Sequence, residues 1–390
     1  MQIPRKKSRR IEVFDGMRGM AAVIVMVFHL IVMTKTGHAS NHSLSFENGW
    51  WRAFTVTPLK LLWAGNEAVI LFYIIGGFVI AKPYLEGREL QFGNFIKKRF
   101  SRLILPYWLI LSVTVIFIGL FMGLKDGIQL SSSFNVKWSE FPSGMDILAQ
   151  LLAFDYNMDI TAGAFWSIVQ EWRIALFIPF IGLWLAKSST KQVVAIVLLG
   201  NWSLDAITME MLGSSNEVLA YVGDTLNRTN YYFIFFFIGA VLCKHIEELR
   251  EFFAKRKWVR IISGLLLPIL IPYQWVLAGF GVTIGRREAM PITAIGIVLL
   301  LLVAMESEWL SKFFKSKPLL FLGGISFSLY LTHTTAIVLF VALLGQVMDP
   351  QWAMIISPVF ALGFAVFWYK HVEQRLAGFS LPKVWVGSTE

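Results

Sequence analysis

Arg18 and His29 stand eleven residues apart on the first long apolar stretch of the chain, residues 14–34. On a helix, eleven positions at about 100° each make three turns plus roughly 20°, so both side chains share one face, about 16 Å apart along the axis. An Arg near the middle of a membrane helix costs roughly 2.5–3.5 kcal/mol, so intramembrane ionisable groups face a cavity or a partner and mark function. Here they would be a cationic anchor near the cytoplasmic edge and an acid–base group deep in the membrane. The bland alternative is a snorkelling Arg and a His making one interhelical hydrogen bond. The shared face favours chemistry.

Three further segments carry candidate groups. Trp166-Ser167-Ile168-Val169-Gln170-Glu171-Trp172-Arg173 opens the fourth apolar stretch at its outer end, and its carboxylate can position a histidine or hold a hydroxyl substrate. Glu171 and Arg173 are two apart and point to different helix faces, so Glu171 is expected to find its partner on another helix. Lys97-Lys98-Arg99-Phe100-Ser101-Arg102, at the cytoplasmic start of the third stretch, is either a topology signal against lipid headgroups or a phosphate cradle of Arg forks. In the ninth stretch, Ser326, Tyr330 and His333 are three or four apart and share a face, with His333 near mid-membrane. Helix packing alone accounts for the adjacent Gly76 and Gly77.

These groups need a membrane scaffold to hold them. Of 390 residues, 56% are hydrophobic and 15% charged, and the apolar residues come in long blocks. Ten spans of the length needed to cross about 30 Å of hydrocarbon are expected: 14–34, 63–81, 103–124, 164–186, 192–209, 229–246, 260–279, 289–305, 321–345 and 351–369. With the N-terminus in the cytoplasm, 25 Lys and Arg fall in cytoplasmic segments and 8 in outer ones. Both termini are therefore expected in the cytoplasm. The fold class is all-α, a polytopic bundle of about ten transmembrane helices over 14–369, between a basic tail (1–13) and a C-terminal tail (370–390).

The net charge of +10 follows this topology, so nucleic acid is not expected as a partner. A single Cys, Cys243, excludes an intramolecular disulfide and multi-Cys metal sites. No metal-ligand cluster, P-loop or dinucleotide fingerprint occurs. The first stretch carries Asp15, Arg18 and His29, so it reads as an uncleaved span rather than a signal peptide. In the 125–163 loop, Ser143 with Asp146 three residues on predicts a capped amphipathic helix over about 143–154, lying in the outer interface.

In this order, Asp15-Gly-Met-Arg-Gly19 with Arg18…His29, Gly76-Gly77-Phe78, Arg99…Arg102-Leu…Pro106-Tyr107, Trp166-Ser167…Glu171 and Ile325-Ser-Phe-Ser-Leu-Tyr330…His333, the chain resembles the acyltransferase family 3 of membrane proteins, nearly end to end as far as Glu373. It departs at Gly76, where the family usually has Ser, and at Gln374, where Pro commonly follows the late Glu. No SGNH-type hydrolase domain is expected after the tenth span. The resemblance implies a multi-pass enzyme of the bacterial inner membrane that moves an acyl group, usually acetyl, from acyl-coenzyme A to a hydroxyl. Acceptors would be a surface polysaccharide, a lipopolysaccharide sugar or a small molecule. Acetyl-coenzyme A would be the co-substrate, with no metal.

The residues suit that chemistry. Arg18, Lys98, Arg99 and Arg102 would hold the donor's phosphates, and His29 would be the general base. Glu171 would orient His29 or the acceptor from the outer side. Trp166, Ser167, Tyr330 and His333 would line the substrate site. Buried Arg, His and Glu also suit a proton-coupled transporter or flippase of a glycan or lipid-linked substrate, and a non-catalytic scaffold is a third reading.

Overall fold

The computed structural model describes residues 11–379; most of both expected tails lies outside them. Helices carry the whole architecture, with no strand among the described residues. The packing elements are α1 (Glu12–Val32), α2 (Gly65–Leu85), α3 (Leu105–Asp126), α4 (Phe165–Ala175), α5 (Ile178–Lys187), α6 (Thr190–Leu212), α7 (Glu217–Lys244), α8 (Lys257–Leu270), α9 (Tyr273–Gly279), α10 (Arg286–Glu306), α11 (Lys317–Leu344) and α12 (Pro350–Trp368). Seven helices are long and apolar enough to cross a membrane, or nine if each of two bent pairs counts as one span. Their outward faces are apolar and exposed, as at Leu120, Leu199, Trp202 and Val359. That is the surface a bilayer would cover.

Every expected stretch falls on a helix or a helix pair, and the departures have local causes. The fourth is broken between α4 and α5, bent by 42°, with Pro179 at the start of α5. The seventh is broken between α8 and α9 by 68°, with Pro268 and Pro272 at the bend. Proline lacks the N–H that would continue the helix. The sixth lies on α7, whose first half holds Asp224, Asn227, Arg228 and Asn230 and is too polar to count with the others.

The third runs longer than expected, from Phe92 to Asp126, through a π turn over Phe100–Ile104 just before Pro106. A second π turn, Tyr369–Glu373, follows α12. Such turns insert an extra residue into the helical ladder and recur at functional sites.

Glycines let two helix pairs approach backbone to backbone. A Cβ on Gly77 would lie 1.9 Å from the Phe236 carbonyl oxygen, and one on Gly239 2.0 Å from that of Ile74, so α2 and α7 touch backbone to backbone. This is the packing role expected of the Gly76-Gly77 pair. In the same way Gly16 meets the Phe314 carbonyl, Gly19 meets Gly323, and Gly323 meets the Asp15 carbonyl. Helices α1 and α11 therefore run in the same direction, locked at their basic ends.

The loop after α3 folds back onto the bundle. Ser131 donates through its hydroxyl to the Val32 carbonyl (2.7 Å) and through its N–H to that of Met33 (3.2 Å), covering the far end of α1. The expected amphipathic helix is present as Gly144–Leu151. Ser143 and Asp146 form a reciprocal capping box, and Met145 and Leu148 face outward. It does not lie flat over the outer end of the bundle. Phe141, just before it, rests beside Gly119. Its last carbonyls, on Gln150 and Leu151, accept from Tyr107 Oη (2.9 Å) and Trp108 Nε1 (2.8 Å). Those donors sit about 17 Å further along α3 at 1.5 Å per residue. A buried phenol and a half-buried indole find acceptors in the unpaired last carbonyls of that helix.

Candidate active site

Ten residues beyond Gly19 on α1 lies His29; ten residues beyond Gly323 on α11 lies His333. Parallel helices locked at one level climb together, about 15 Å in ten residues, so the two imidazoles arrive at the same height. His29 Nδ1 is 3.1 Å from His333 Nε2, and the ring centroids are 4.9 Å apart. His29 is half-buried one turn from the far end of α1, while His333 is fully buried in α11. The base is thus nearer the loop side than a mid-membrane position.

The partners fix the tautomers. His333 Nδ1 lies 3.0 Å from the Leu329 carbonyl oxygen and 2.8 Å from that of Tyr330. Carbonyls only accept, so Nδ1 carries the proton and Nε2 presents a lone pair. His29 Nδ1 faces that lone pair and the Val25 carbonyl oxygen at 2.9 Å, two acceptors again. It therefore carries its proton on Nδ1 and keeps Nε2 as the basic atom.

Below the pair, Tyr330 packs edge-on to His333 (5.9 Å between centroids), and its hydroxyl is 2.5 Å from Ser167 Oγ. The Ser167 carbonyl accepts from Tyr73 Oη at 3.0 Å. Arg18, Tyr73, Ser167, Glu171, Ser326 and Tyr330 line one small cavity of about 40 Å³. Arg18, Ser167 and Tyr330 are thus brought to one cavity. The open groove expected from Arg18 to His29 is instead closed at the Tyr330–Ser167 bond, with the histidines beyond it. A wider cavity of about 820 Å³ opens on the basic side, between Glu12, Lys82, Arg250 and Lys315. Phe14 and Phe78 pack edge-to-face there at 5.2 Å, and Phe78 lines it.

Glu171 has a different neighbour from the one expected. Its carboxylate lies 3.5 Å from Arg99 on the π-turn segment, not beside His29. Helix α4 begins at Phe165, already at the level of Tyr107 (5.3 Å between rings). Six more residues carry Glu171 about 9 Å further towards the basic side. As the spacing required, Glu171 does not pair with Arg173, which bonds the Ala153 carbonyl (2.7 Å) and Asp155 (3.5 Å).

Arg99 is half-buried, whereas Lys98 and Arg102 are exposed on the same segment. Trp166 does not line the cavity; it packs on Tyr232 at 5.1 Å. The sequence left one participant without a role. Glu373, in the second π turn, accepts from Ser328 Oγ at 2.5 Å and feels the charges of Arg102 and Arg18. Its position at the end of the family resemblance was the available signal.

Next to His29, Phe28 stacks on Trp63 at 6.4 Å. Behind them Lys60, 1% exposed, points its amine at the faces of Trp63 (3.0 Å) and Trp275 (3.9 Å) and donates to Asn41 Oδ1 at 2.9 Å. Burial pushes the Lys60 ammonium down to about 6, against the pull of Glu67 and with the push of Arg286. Among the described residues no cluster of His, Cys, Asp and Glu could hold a metal ion.

The chain belongs to the acyltransferase 3 family, a class of acyltransferases. The model of that family, described as an acyltransferase domain, matches residues 11–370. Among curated proteins, the peptidoglycan O-acetyltransferase OatA of Listeria monocytogenes serovar 1/2a is similar, 22% identical over 380 residues. The match covers 92% of this chain and 54% of that protein, so the chain spans about half the length of the relative. No solved structure matches the chain.

Proposed function

We propose that the protein is a bacterial inner-membrane O-acyltransferase that moves an acyl group, acetyl by preference, from acyl-coenzyme A to a hydroxyl of a cell-surface glycan. The observation that carries this reading is the His29–His333 pair, which leaves His29 Nε2 as an unprotonated base. In the reaction, His29 Nε2 takes the proton of the acceptor hydroxyl. The oxygen attacks the thioester carbonyl, the C–S bond breaks, and the thiolate leaves with that proton. General-base catalysis of this kind contributes typically 10²–10⁴-fold. Arg102 and Lys98, exposed on the basic side, and Arg18 and Arg99, deeper in, would hold the donor's phosphates. The Tyr330–Ser167 bond stands between the Arg18 cavity and His29, so the thioester would pass it to reach the base. The name of the similar protein supports a glycan acceptor.

The test is thioester turnover by purified protein with a glycan acceptor. Acceptor-dependent release of coenzyme A is expected from the wild type and not from His29→Ala at equal folded yield. Arg102→Glu should mainly raise the KM for the donor. Near-normal turnover by His29→Ala would refute the base assignment. Glycan flux across vesicles without thioester turnover would make the protein a carrier instead.

A further inference from the structure

The loop that folds back over the far end of α1 brings two hydroxyls to one imidazole. Ser132 Oγ lies 2.8 Å from His38 Nε2, and Ser133 Oγ lies 2.9 Å from Nδ1 of the same ring. The partners are 94 and 95 residues apart, so the packed bundle pairs them rather than the local chain. A nucleophile within hydrogen-bond reach of a base, with a third group orienting that base, is the arrangement that activates a serine.

Both halves of the pair are anchored on the same helix end. His38 sits on the short helix Lys35–His42, whose cap Thr34 accepts from the Gly37 N–H at 3.1 Å and donates to the Ile31 carbonyl at 2.7 Å. A Cβ on Gly37 would lie 2.1 Å from that carbonyl oxygen, so this helix presses on α1. His42, one turn on, stacks on the His38 ring at 4.3 Å. The serines stand on the turn Ser132–Asn135. Ser131 ties that turn to the Val32 and Met33 carbonyls, and its hydroxyl also accepts from the Phe134 N–H at 3.2 Å. Phe134 and Trp138 are fully buried, and the Leu130 N–H and the Lys125 ammonium both bond Asn135. Neither side of the pair is free to drift, which is what a catalytic pair needs.

A neutral imidazole serves both hydroxyls when Nδ1–H donates to Ser133 and Nε2 accepts from Ser132. The reverse tautomer makes Ser133 the donor, but Ser133 is half-buried, whereas Ser132 is exposed and open to a substrate. Ser132 is therefore the nucleophile and Ser133 the orienting hydroxyl. Position decides what Ser132 can meet. Met33, where the loop is tied, is 15 residues beyond Arg18, about 22 Å along α1. A thioester entering from the basic side meets His29 first, one turn before Met33. What reaches Ser132 is an ester already on the acceptor side.

We propose that Ser132 and His38, oriented by Ser133, form a second catalytic centre, a serine esterase that cleaves O-acyl esters, the class of product the transferase forms. The choice of substrate rests on the acyltransferase reading above; the geometry of the centre does not. Ser132 Oγ attacks the ester carbonyl while its proton passes to His38 Nε2. The C–O bond breaks, and the alcohol leaves with that proton. Water then attacks the acyl-Ser132 ester and gives a proton to His38. The bond to Ser132 Oγ breaks, Oγ regains the proton, and the acid departs.

The experiment treats the purified chain in detergent with a fluorophosphonate, which bonds to base-activated serines, and separately with p-nitrophenyl acetate. The phosphonate is expected on the peptide that carries Ser132. Ser132→Ala should lose the label. Ser132→Ala and His38→Phe, which keeps a ring against His42, should each lower ester hydrolysis by about 10²–10⁴-fold, the share of a general base. The double variant should be no worse than either, because the two act as one unit. Ser133→Ala should lower kcat a few-fold at unchanged KM, and Ser133→Thr should restore it. Ser139→Ala, at an exposed serine of the same loop, should change nothing. A label on Ser133 or elsewhere, or hydrolysis by Ser132→Ala within about twofold of the wild type, overturns the proposal. Loss of acceptor-dependent coenzyme A release in Ser132→Ala would merge the two centres and overturn it as well. An unlabelled chain with normal coenzyme A release sinks the esterase alone. A labelled Ser132 in a chain that releases no coenzyme A supports the esterase and removes the transferase reading.

Discussion

If His29 is the base, His333 is the group that would support its imidazolium, and its replacement gives a quantitative test. In His333→Phe a ring still fills the buried site, but the lone pair that accepts from His29 Nδ1–H at 3.1 Å is gone. The Val25 carbonyl still holds that proton, so the ground-state tautomer survives. What is lost is support for the imidazolium that forms as the acceptor is deprotonated. Hydrogen bonds to charged groups are worth about 1.5–3 kcal/mol net. At about 1.4 kcal/mol per decade, kcat should fall about 10- to 150-fold with little change in either KM. His333→Gln keeps an acceptor near the Nε2 position and should recover part of that loss. The assay is acetyl transfer at saturating donor and acceptor, alongside thermal unfolding to show that each variant is folded. His29→Ala should cost more, and the double variant should be no worse than His29→Ala, because residues acting as one unit are not additive. A His333→Phe enzyme within twofold of the wild type, or a double variant showing the product of both losses, would refute the dyad.

Two neighbouring glycines and one lysine supply further predictions. A Cβ at Gly323 would lie 2.2 Å from the Asp15 carbonyl oxygen, whereas one at Gly324 meets nothing within 4 Å. Gly323→Ala should therefore force α1 from α11, lower stability by about 1–3 kcal/mol and separate the histidines. Gly324→Ala should keep turnover and hold or raise the melting temperature; equal effects at the two sites would contradict the register argument. For Lys60, the folded chain has shed a proton that the unfolded chain keeps between about 6 and the usual lysine value. The unfolded state binds more protons there, so wild-type stability should climb as pH rises through that window, by up to about 1.4 kcal/mol per unit. Lys60→Met lacks this dependence. Its melting temperature should exceed the wild type's most at about pH 6 and below, with the gap closing as pH rises into alkali, and parallel melting curves across pH would show that Lys60 stays charged.

The sequence by itself determined what a single helix can determine. Apolar runs of span length placed the bundle's helices, the eleven-residue spacing put Arg18 and His29 on one face, and Ser143 with Asp146 marked a capped helix start. These follow from 3.6 residues per turn and from the orphan N–H groups of a first turn, both properties of neighbours along the chain.

Which groups meet was decided only in three dimensions. Nothing in the local pattern said that α11 would run parallel to α1, or that Gly19 and Gly323 would set a level from which His29 and His333 rise together. Glu171 was legible as needing a partner on another helix. That the partner is Arg99 depended on how deep α4 starts and on the π turn that follows Arg99. Partners separated by 72 or 304 residues are chosen by how closely helix backbones can approach, and that is a property of the packed bundle rather than of any segment in it.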